Sequence, residues 1–76
     1  MSKAFNTFTA AHTEGNLRLQ QQGFQTLRLG QLFCSLYIKG SWPELFYEDR
    51  ENRAAAKIEQ WLMDNNYTEE LPPKLV

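Results

Sequence analysis

The residue types that perform most enzyme chemistry are scarce in this 76-residue chain, which contains one cysteine, Cys34, and one histidine, His12. A reactive thiol needs an electropositive, partly open environment, whereas Cys34 lies among apolar residues in "LFCSLYI". We therefore expect a buried, inert thiol at Cys34 and, in polar surroundings, a solvated imidazole at His12. One residue of each kind makes neither an internal disulfide nor a zinc cluster.

Carboxylates are the other groups with catalytic chemistry, and Glu48, Asp49 and Glu51 gather in front of a strongly periodic segment. The dipole of a helix stabilises acidic side chains at its N-terminus, and this structural role outweighs an acid–base pair or a metal site. The four glycines are isolated and form no phosphate-binding loop. We expect no enzyme, cofactor or metal, because so short a chain rarely both buries a core and frames a cleft.

The charges of the chain are unevenly distributed. Residues 1–39 hold four basic residues and one acidic residue, a balance of +3, while residues 40–76 hold four basic and eight acidic residues, a balance of −4. The acidic end suits a partner with a basic surface, or it is ordinary solvated surface. The sequence contains neither a signal-like apolar stretch nor the roughly 18 apolar residues of a membrane span, so we expect a cytoplasmic protein without membrane contact.

A central helix is predicted in "TLRLGQLFCSLYIKG", where apolar residues recur every three or four positions. The polar residues of this segment form one narrow stripe: Arg28, Gln31, Ser35 and Lys39. A helix over 26–39 with so little polar surface belongs at the centre of the fold. We expect Thr26 to cap it and Gly40 to end it, and we expect Gly30 to permit the close approach of another backbone.

A second long helix is predicted over 50–65, with Asp49 as its N-cap. The pair Asn65 and Asn66 is expected to end it, since asparagine tolerates the left-handed conformation. Its apolar face is traced by six residues: Ala54, Ala55, Ile58, Trp61, Leu62 and Asn65.

Between these helices, "PELFYED", residues 43–49, predicts a short helix that starts directly after the turn at Gly40. Ser41 and Glu44 have the spacing of a capping box, and Pro43 suits the first turn. The pattern places Trp42, Leu45 and Phe46 on one side, Glu44, Glu48 and Asp49 on the other, and Tyr47 between them.

These elements predict a mainly α fold, a single small domain over 1–76 with three or four helices. Two alternatives stay open for the start of the chain, since residues 1–15 have the composition of an arm while 9–22 is weakly helical and interrupted by Gly15. Residues 67–76 contain a proline pair and are expected to be a tail, either extended along the body or disordered.

Protein binding is the function that the aromatic residues favour. Trp and Tyr are enriched at binding hot spots, and the chain has more large rings than so small a core easily encloses. The partner is another protein with a basic surface, or a second copy of the chain in a homodimer. The residues predicted to bind it are Trp42, Glu44, Tyr47, Glu48, Asp49, Arg53 and Lys57.

The alternative is a small DNA-binding regulator of helix-turn-helix type. Its phosphate contacts would come from Arg18, Arg28 and Lys39 in the basic half of the chain. The 50–65 helix carries balanced charges and the sequence pI is near 5.7, and both features argue against nucleic-acid binding because a DNA reader needs a basic surface.

The run "RLGQLFCSLYIKGSWPELFYE", residues 28 to 48, resembles short accessory proteins encoded by bacterial viruses and prophages. The resemblance covers under a third of the chain and assigns no functional residues. It implies a non-enzymatic protein that binds or inhibits a host or viral macromolecule, for example by masking a basic nucleic-acid-binding surface.

Overall fold

The computed structural model describes residues 1–75 and confirms a mainly α fold with four helices. No strand occurs in this range. The helices are α1 (Lys3–Gln21), α2 (Leu29–Tyr37), α3 (Pro43–Phe46) and α4 (Glu51–Asp64).

Two alternatives were predicted for the segment that forms α1: an arm over 1–15 or a helix over 9–22. The arm is wrong, and the helix begins at Lys3, six residues before the predicted start at residue 9. Its first turn is capped by Ser2, whose Oγ accepts the N–H of Phe5 at 3.2 Å. Phe5 and Phe8 are buried on the face that packs into the core. Burial of two aromatic side chains is worth several kcal/mol, more than the roughly 1 kcal/mol that Gly15 costs inside the helix.

Helix α2 is central, as predicted, because it packs against all three other helices. Phe33 is fully buried and lies at the middle of an aromatic cluster. Its ring centroid is 5.2 Å from that of Phe8, 5.1 Å from that of Tyr37 and 5.5 Å from that of Trp61. The pairs with Phe8 and Trp61 are edge-to-face and the pair with Tyr37 is tilted at 50°, and aromatic pairs at these distances add to the stabilisation from apolar burial.

Helix α3 lies directly on α2 at Gly30. A Cβ atom at this position would clash with the carbonyl oxygen of Leu45, whose side chain is fully buried. The expected close approach of another backbone at Gly30 is therefore confirmed. Gly40, with φ of +98°, turns the chain from α2 into α3, and Pro43 occupies the first turn of α3.

Helix α4 packs across α2 through Ala54, Ile58 and Leu62, which are spaced four residues apart and buried. Asn65, predicted on the same face, is exposed. Of the two asparagines expected to end the helix, Asn66 takes the left-handed conformation with φ of +65°, while Asn65, the C-cap, has φ of −104°.

The predicted starts of α2 and α4 are corrected by one to three residues, while α3 starts at Pro43 as predicted but ends at Phe46 rather than at Asp49. Helix α2 is shorter than 26–39 and its N-cap is Arg28 rather than Thr26. Helix α3 has Trp42 as N-cap with no side-chain hydrogen bond, so the capping box at Ser41 does not form. Helix α4 begins within one residue of the prediction, after Arg50 rather than Asp49. Cap preferences amount to about 1 kcal/mol, and tertiary contacts override them here.

Residues 67–75 follow the first of the two alternatives and extend along the body. Tyr67 stacks on Trp61 with an interplanar angle of 6°. The carbonyl of Thr68 accepts the N–H of Ala4 at 2.9 Å, and the N–H of Leu75 donates to the carbonyl of Leu36 at 2.7 Å. Val76, the last residue of the predicted tail, lies outside the described residues.

Among the described residues, no helix combines the length and the apolar character that crossing a bilayer requires.

Candidate functional site

An open depression of about 430 Å³, which we call the aromatic hollow, lies between the end of α2 and α3. Tyr47 at its edge is 72% exposed, and its ring meets that of Phe46 edge-on at 4.9 Å. The side chains that give the hollow its apolar surface are Cys34, Ile38, Trp42, Pro43, Phe46 and Tyr47.

A second depression of about 380 Å³, the α4 hollow, lies on the other side of Trp42. Trp61 lies in its wall and is held between the buried ring of Phe33 and the stacked ring of Tyr67. The lining residues are Trp42, Ala56, Lys57, Gln60, Trp61 and Asp64. Trp42 is thus half-buried and shared by two adjoining hollows, which together make one surface with large rings on both sides.

Three polar contacts fix α3, and with it Trp42, against the other helices. Lys57 Nζ, on α4, donates to the carbonyl oxygen of Glu44 at 3.0 Å and to Glu48 Oε1 at 3.3 Å. Arg28 Nη2, at the start of α2, donates to the carbonyl oxygen of Phe46 at 3.3 Å. These contacts connect the short helix α3 and the residues just after it to both α2 and α4.

The carboxylate of Glu48 forms hydrogen bonds within the chain, in addition to contributing a negative charge. Its Oε2 accepts the backbone N–H of Arg50 at 3.3 Å, and this hydrogen bond is the main cause that lowers the pKa of Glu48. The hydrogen bond and charge of Lys57 and the charge of Arg53 lower the pKa further, against an opposing effect of burial. Its side chain is 13% exposed, compared with 37% for Lys57. The pair is therefore engaged within the chain.

Cys34 is half-buried rather than buried, which corrects the prediction. Its Sγ lies 3.8 Å from the carbonyl oxygen of Trp42 and faces the aromatic hollow. Burial nevertheless raises the pKa of the thiol, as expected for an unreactive cysteine in apolar surroundings.

His12 is buried, with 8% exposure, so the prediction of a solvated imidazole is wrong. Its Nε2 lies 2.7 Å from the carbonyl oxygen of Leu27 and carries the proton of that hydrogen bond. A ring nitrogen that donates cannot also accept, so the 3.1 Å approach of Asn16 Nδ2 to the same nitrogen is not a second hydrogen bond. The amide of Asn16 instead bonds both backbone groups of Leu27.

The predicted binding residues divide into three groups in the structure. Trp42 and Tyr47 line the aromatic hollow, and Lys57 lines the α4 hollow beside Trp42. Glu48 and Asp49 line a third depression of about 240 Å³, which is floored by His12. Two further predicted residues, Glu44 and Arg53, are exposed and line none of these depressions.

The basic residues proposed for nucleic-acid contact are spread over the molecule. Arg18 forms an ion pair of 2.7 Å with Glu14 on α1. Arg28 and Lys39 flank opposite ends of α2, and Arg28 is engaged with Phe46. Two of the three predicted cations therefore already have partners within the chain.

Sequence reasoning did not assign Ile38, Ala56 and Trp61 to the candidate surface. Ile38 is one of the apolar residues of the 26–39 segment, and Trp61 was predicted on the apolar face of the 50–65 helix. For Trp61, the available signal was the number of large rings in the chain, which exceeds what so small a core easily encloses.

Within residues 1–75, no three His, Cys, Asp or Glu side chains cluster closely enough to hold a metal ion. Comparisons of the chain with protein-family models, with curated proteins and with solved structures find no match.

Proposed function

We propose that this chain is a small non-enzymatic binding module whose partner is another protein. The observation that carries the proposal is the position of Trp42, which is half-buried between the aromatic hollow and the α4 hollow. A partner side chain on either side of the indole would contact a second aromatic ring, Tyr47 or Trp61. Tryptophan and tyrosine in such positions supply much of the energy of protein interfaces.

The rigidity of the surface supports the same proposal. The side chain of Leu45 is fully buried and the contacts of Lys57 and Arg28 hold both sides of α3. An interface that is already ordered loses little conformational entropy when it binds.

The partner we propose has an apolar side chain for the hollows and basic residues around it. Residues 40–76 hold four basic and eight acidic residues, which gives the half of the chain that carries Trp42 a balance of −4. Glu44 and Asp64 are exposed, and Asp64 lies in the wall of the α4 hollow. The resemblance of residues 28–48 to accessory proteins of bacterial viruses favours a host or viral macromolecule as the partner.

The test is affinity capture from a bacterial lysate on three immobilised proteins: the wild type, Trp42→Ala and the matched control Phe24→Ala. Phe24 is 63% exposed and lies in the α1–α2 loop, so its truncation removes an aromatic surface group outside both hollows. We expect a protein that the wild type and Phe24→Ala retain and that Trp42→Ala loses. With the captured protein purified, Trp42→Ala should raise Kd by roughly 30-fold or more, the size of a hot-spot truncation.

Equal capture by Trp42→Ala and the wild type would contradict the proposal, as would capture of nucleic acid that falls steeply with salt. The helix-turn-helix alternative predicts the steep salt dependence, because counterions are released from the phosphates. Light scattering over a dilution series separates a homodimer from a foreign partner, because only the homodimer changes mass with concentration in the purified chain.

A further inference from the structure

The α4 hollow differs from the aromatic hollow in the charge of its wall. Among residues 1–75, no Asp, Glu, Lys, Arg or His side chain lines the aromatic hollow. The α4 hollow, in contrast, is lined by Lys57 and Asp64 beside the rings of Trp42 and Trp61. The two hollows therefore favour different kinds of side chain, even though they share Trp42.

Of the two charges in the wall of the α4 hollow, that of Asp64 is available to a partner. The positive charge of Lys57 is compensated, since its Nζ lies 3.3 Å from Glu48 Oε1 and also donates to the carbonyl oxygen of Glu44 at 3.0 Å. Asp64 is exposed and forms no ion pair within residues 1–75. Its Oδ1 accepts a hydrogen bond of 2.8 Å from Gln60, whose amide is neutral. The hollow thus combines two indole rings with one uncompensated carboxylate.

Repulsion of a cation by Arg53, which is also exposed on α4, is weak at this site. Arg53 lines neither hollow. It precedes Asp64 by about three helical turns, roughly 16 Å along the axis of α4. Charges on the surface that are more than about 8 Å apart are largely screened at physiological salt.

We propose that the α4 hollow receives an arginine of the partner protein, while the aromatic hollow receives an apolar side chain of the same partner. This inference rests on the proposed function and assigns a position to one of the partner's basic residues. Tryptophan is the aromatic residue that attracts cations most strongly. The planar guanidinium group of arginine stacks on such rings and donates paired hydrogen bonds to a carboxylate such as that of Asp64. The ammonium group of lysine has neither the plane nor the fork of donors.

A short peptide can carry both side chains, because Trp42 lines both hollows and the two occupants must therefore be neighbours. The experiment selects displayed random peptides of about 12 residues, roughly three helical turns, on the immobilised wild type. Peptides that the wild type retains and Trp42→Ala loses are expected to contain an arginine and an apolar residue. Each is then synthesised with arginine and with citrulline, whose side chain has nearly the same shape and no charge.

Isothermal titration calorimetry measures Kd for each pair of peptides. For the wild type, we expect citrulline in place of arginine to raise Kd roughly 10-fold. For Asp64→Asn, this ratio should fall to roughly threefold, because the carboxylate that favours the charged side chain is gone. The matched control is Glu70→Gln, which removes one negative charge from an exposed residue outside both hollows. It should leave the ratio at about 10-fold.

The possible results separate this inference from the proposed function. If no peptide is retained by the wild type and lost by Trp42→Ala, both are overturned. Tyr47→Ala, at a 72% exposed residue, takes the place of Trp42→Ala if that variant fails to fold.

The arginine site alone is overturned if the selected peptides bind through Trp42 but lack arginine. The same holds if citrulline or lysine replaces arginine without a change in Kd, or if Asp64→Asn leaves the Kd ratio unchanged. A dimer of the purified chain that Trp42→Ala dissociates would assign the hollows to a second copy and would overturn both proposals.

Discussion

Gly30 on α2 lies so close to Leu45 on α3 that a Cβ atom at residue 30 would overlap the Leu45 carbonyl oxygen. The group that a Cβ at residue 30 would meet is the backbone carbonyl of Leu45. A backbone group cannot rotate away as a flexible side chain can. The N–H of Leu45 also donates to the carbonyl oxygen of Trp42 at 3.1 Å, so the contact at Gly30 lies one backbone hydrogen bond from the residue that lines both hollows.

Gly30→Ala is expected to destabilise the protein, and its matched control is Gly15→Ala. Overpacking against the backbone of Leu45 costs about 1–3 kcal/mol, which exceeds the gain of up to about 1 kcal/mol from better helix propensity. A Cβ at Gly15 meets nothing within 4 Å, so Gly15→Ala should stabilise by about 0.5–1 kcal/mol. Urea unfolding measures both changes, and two stabilised variants would contradict the described contact between α2 and α3.

Asn16→Ala is expected to lower the free energy of unfolding by about 1–3 kcal/mol. Asn16 Oδ1 accepts the N–H of Leu27 at 2.9 Å and its Nδ2 donates to the Leu27 carbonyl at 3.0 Å, so truncation leaves half-buried backbone groups with fewer partners. Gln20→Ala is the control, since Gln20 is exposed on the same helix. Chemical denaturation followed by circular dichroism gives both values. Equal stability of the two variants would show that water replaces the amide without loss.

Acid is expected to weaken the fold in part through Glu48. The hydrogen bond from Arg50, with smaller contributions from Lys57 and Arg53, holds the pKa of Glu48 below its usual value of about 4.3. The native state thus binds the Glu48 proton more weakly than the unfolded state. The stabilisation is fully present above about pH 4.3 and is lost as the pH falls through the lower, folded-state pKa.

Glu48→Gln tests this pH dependence. The difference in free energy of unfolding between wild type and variant should be constant from about pH 5 to 7 and should shrink below about pH 4. Glu70→Gln, at an exposed carboxylate, is expected to change stability by less than about 0.5 kcal/mol at neutral pH. A wild-type-to-Glu48→Gln difference that stays constant down to about pH 2 would mean that the contacts of Glu48 do not favour its charged form.

Cys34 is expected to react more slowly with a disulfide reagent in the native protein than in the urea-unfolded chain. Burial raises the pKa of the thiol and so reduces the thiolate fraction near pH 8, and Cys34 is half-buried in the wall of the aromatic hollow. Absorbance of the released reagent gives both rates. Equal rates would show that the hollow does not protect the sulfur. Under the proposed function, the modified protein should also lose the partner captured by the wild type, since the adduct fills the hollow.

The sequence by itself determined the helical class, the central place of α2 and nearly the whole of α4. These depend on apolar spacing over several turns, and the burial that the spacing implies outweighs local preferences. The same spacing is present only in part at the start of the chain. There, Phe5 and Phe8 form one helical turn of α1, and only their contact with the rest of the core makes the full helix stable.

The tertiary structure alone decided which polar groups are engaged and which surface is open. The burial of His12 is compensated because its Nε2–H donates a hydrogen bond to the Leu27 carbonyl oxygen, and Glu48 accepts hydrogen bonds from Lys57 and from the backbone of Arg50. Each pairing joins residues that are distant or irregularly spaced in sequence, so no periodicity reveals it. The two hollows around Trp42 form where α2, α3 and α4 meet. The apolar pattern of each single helix does not predict the space that is left between them.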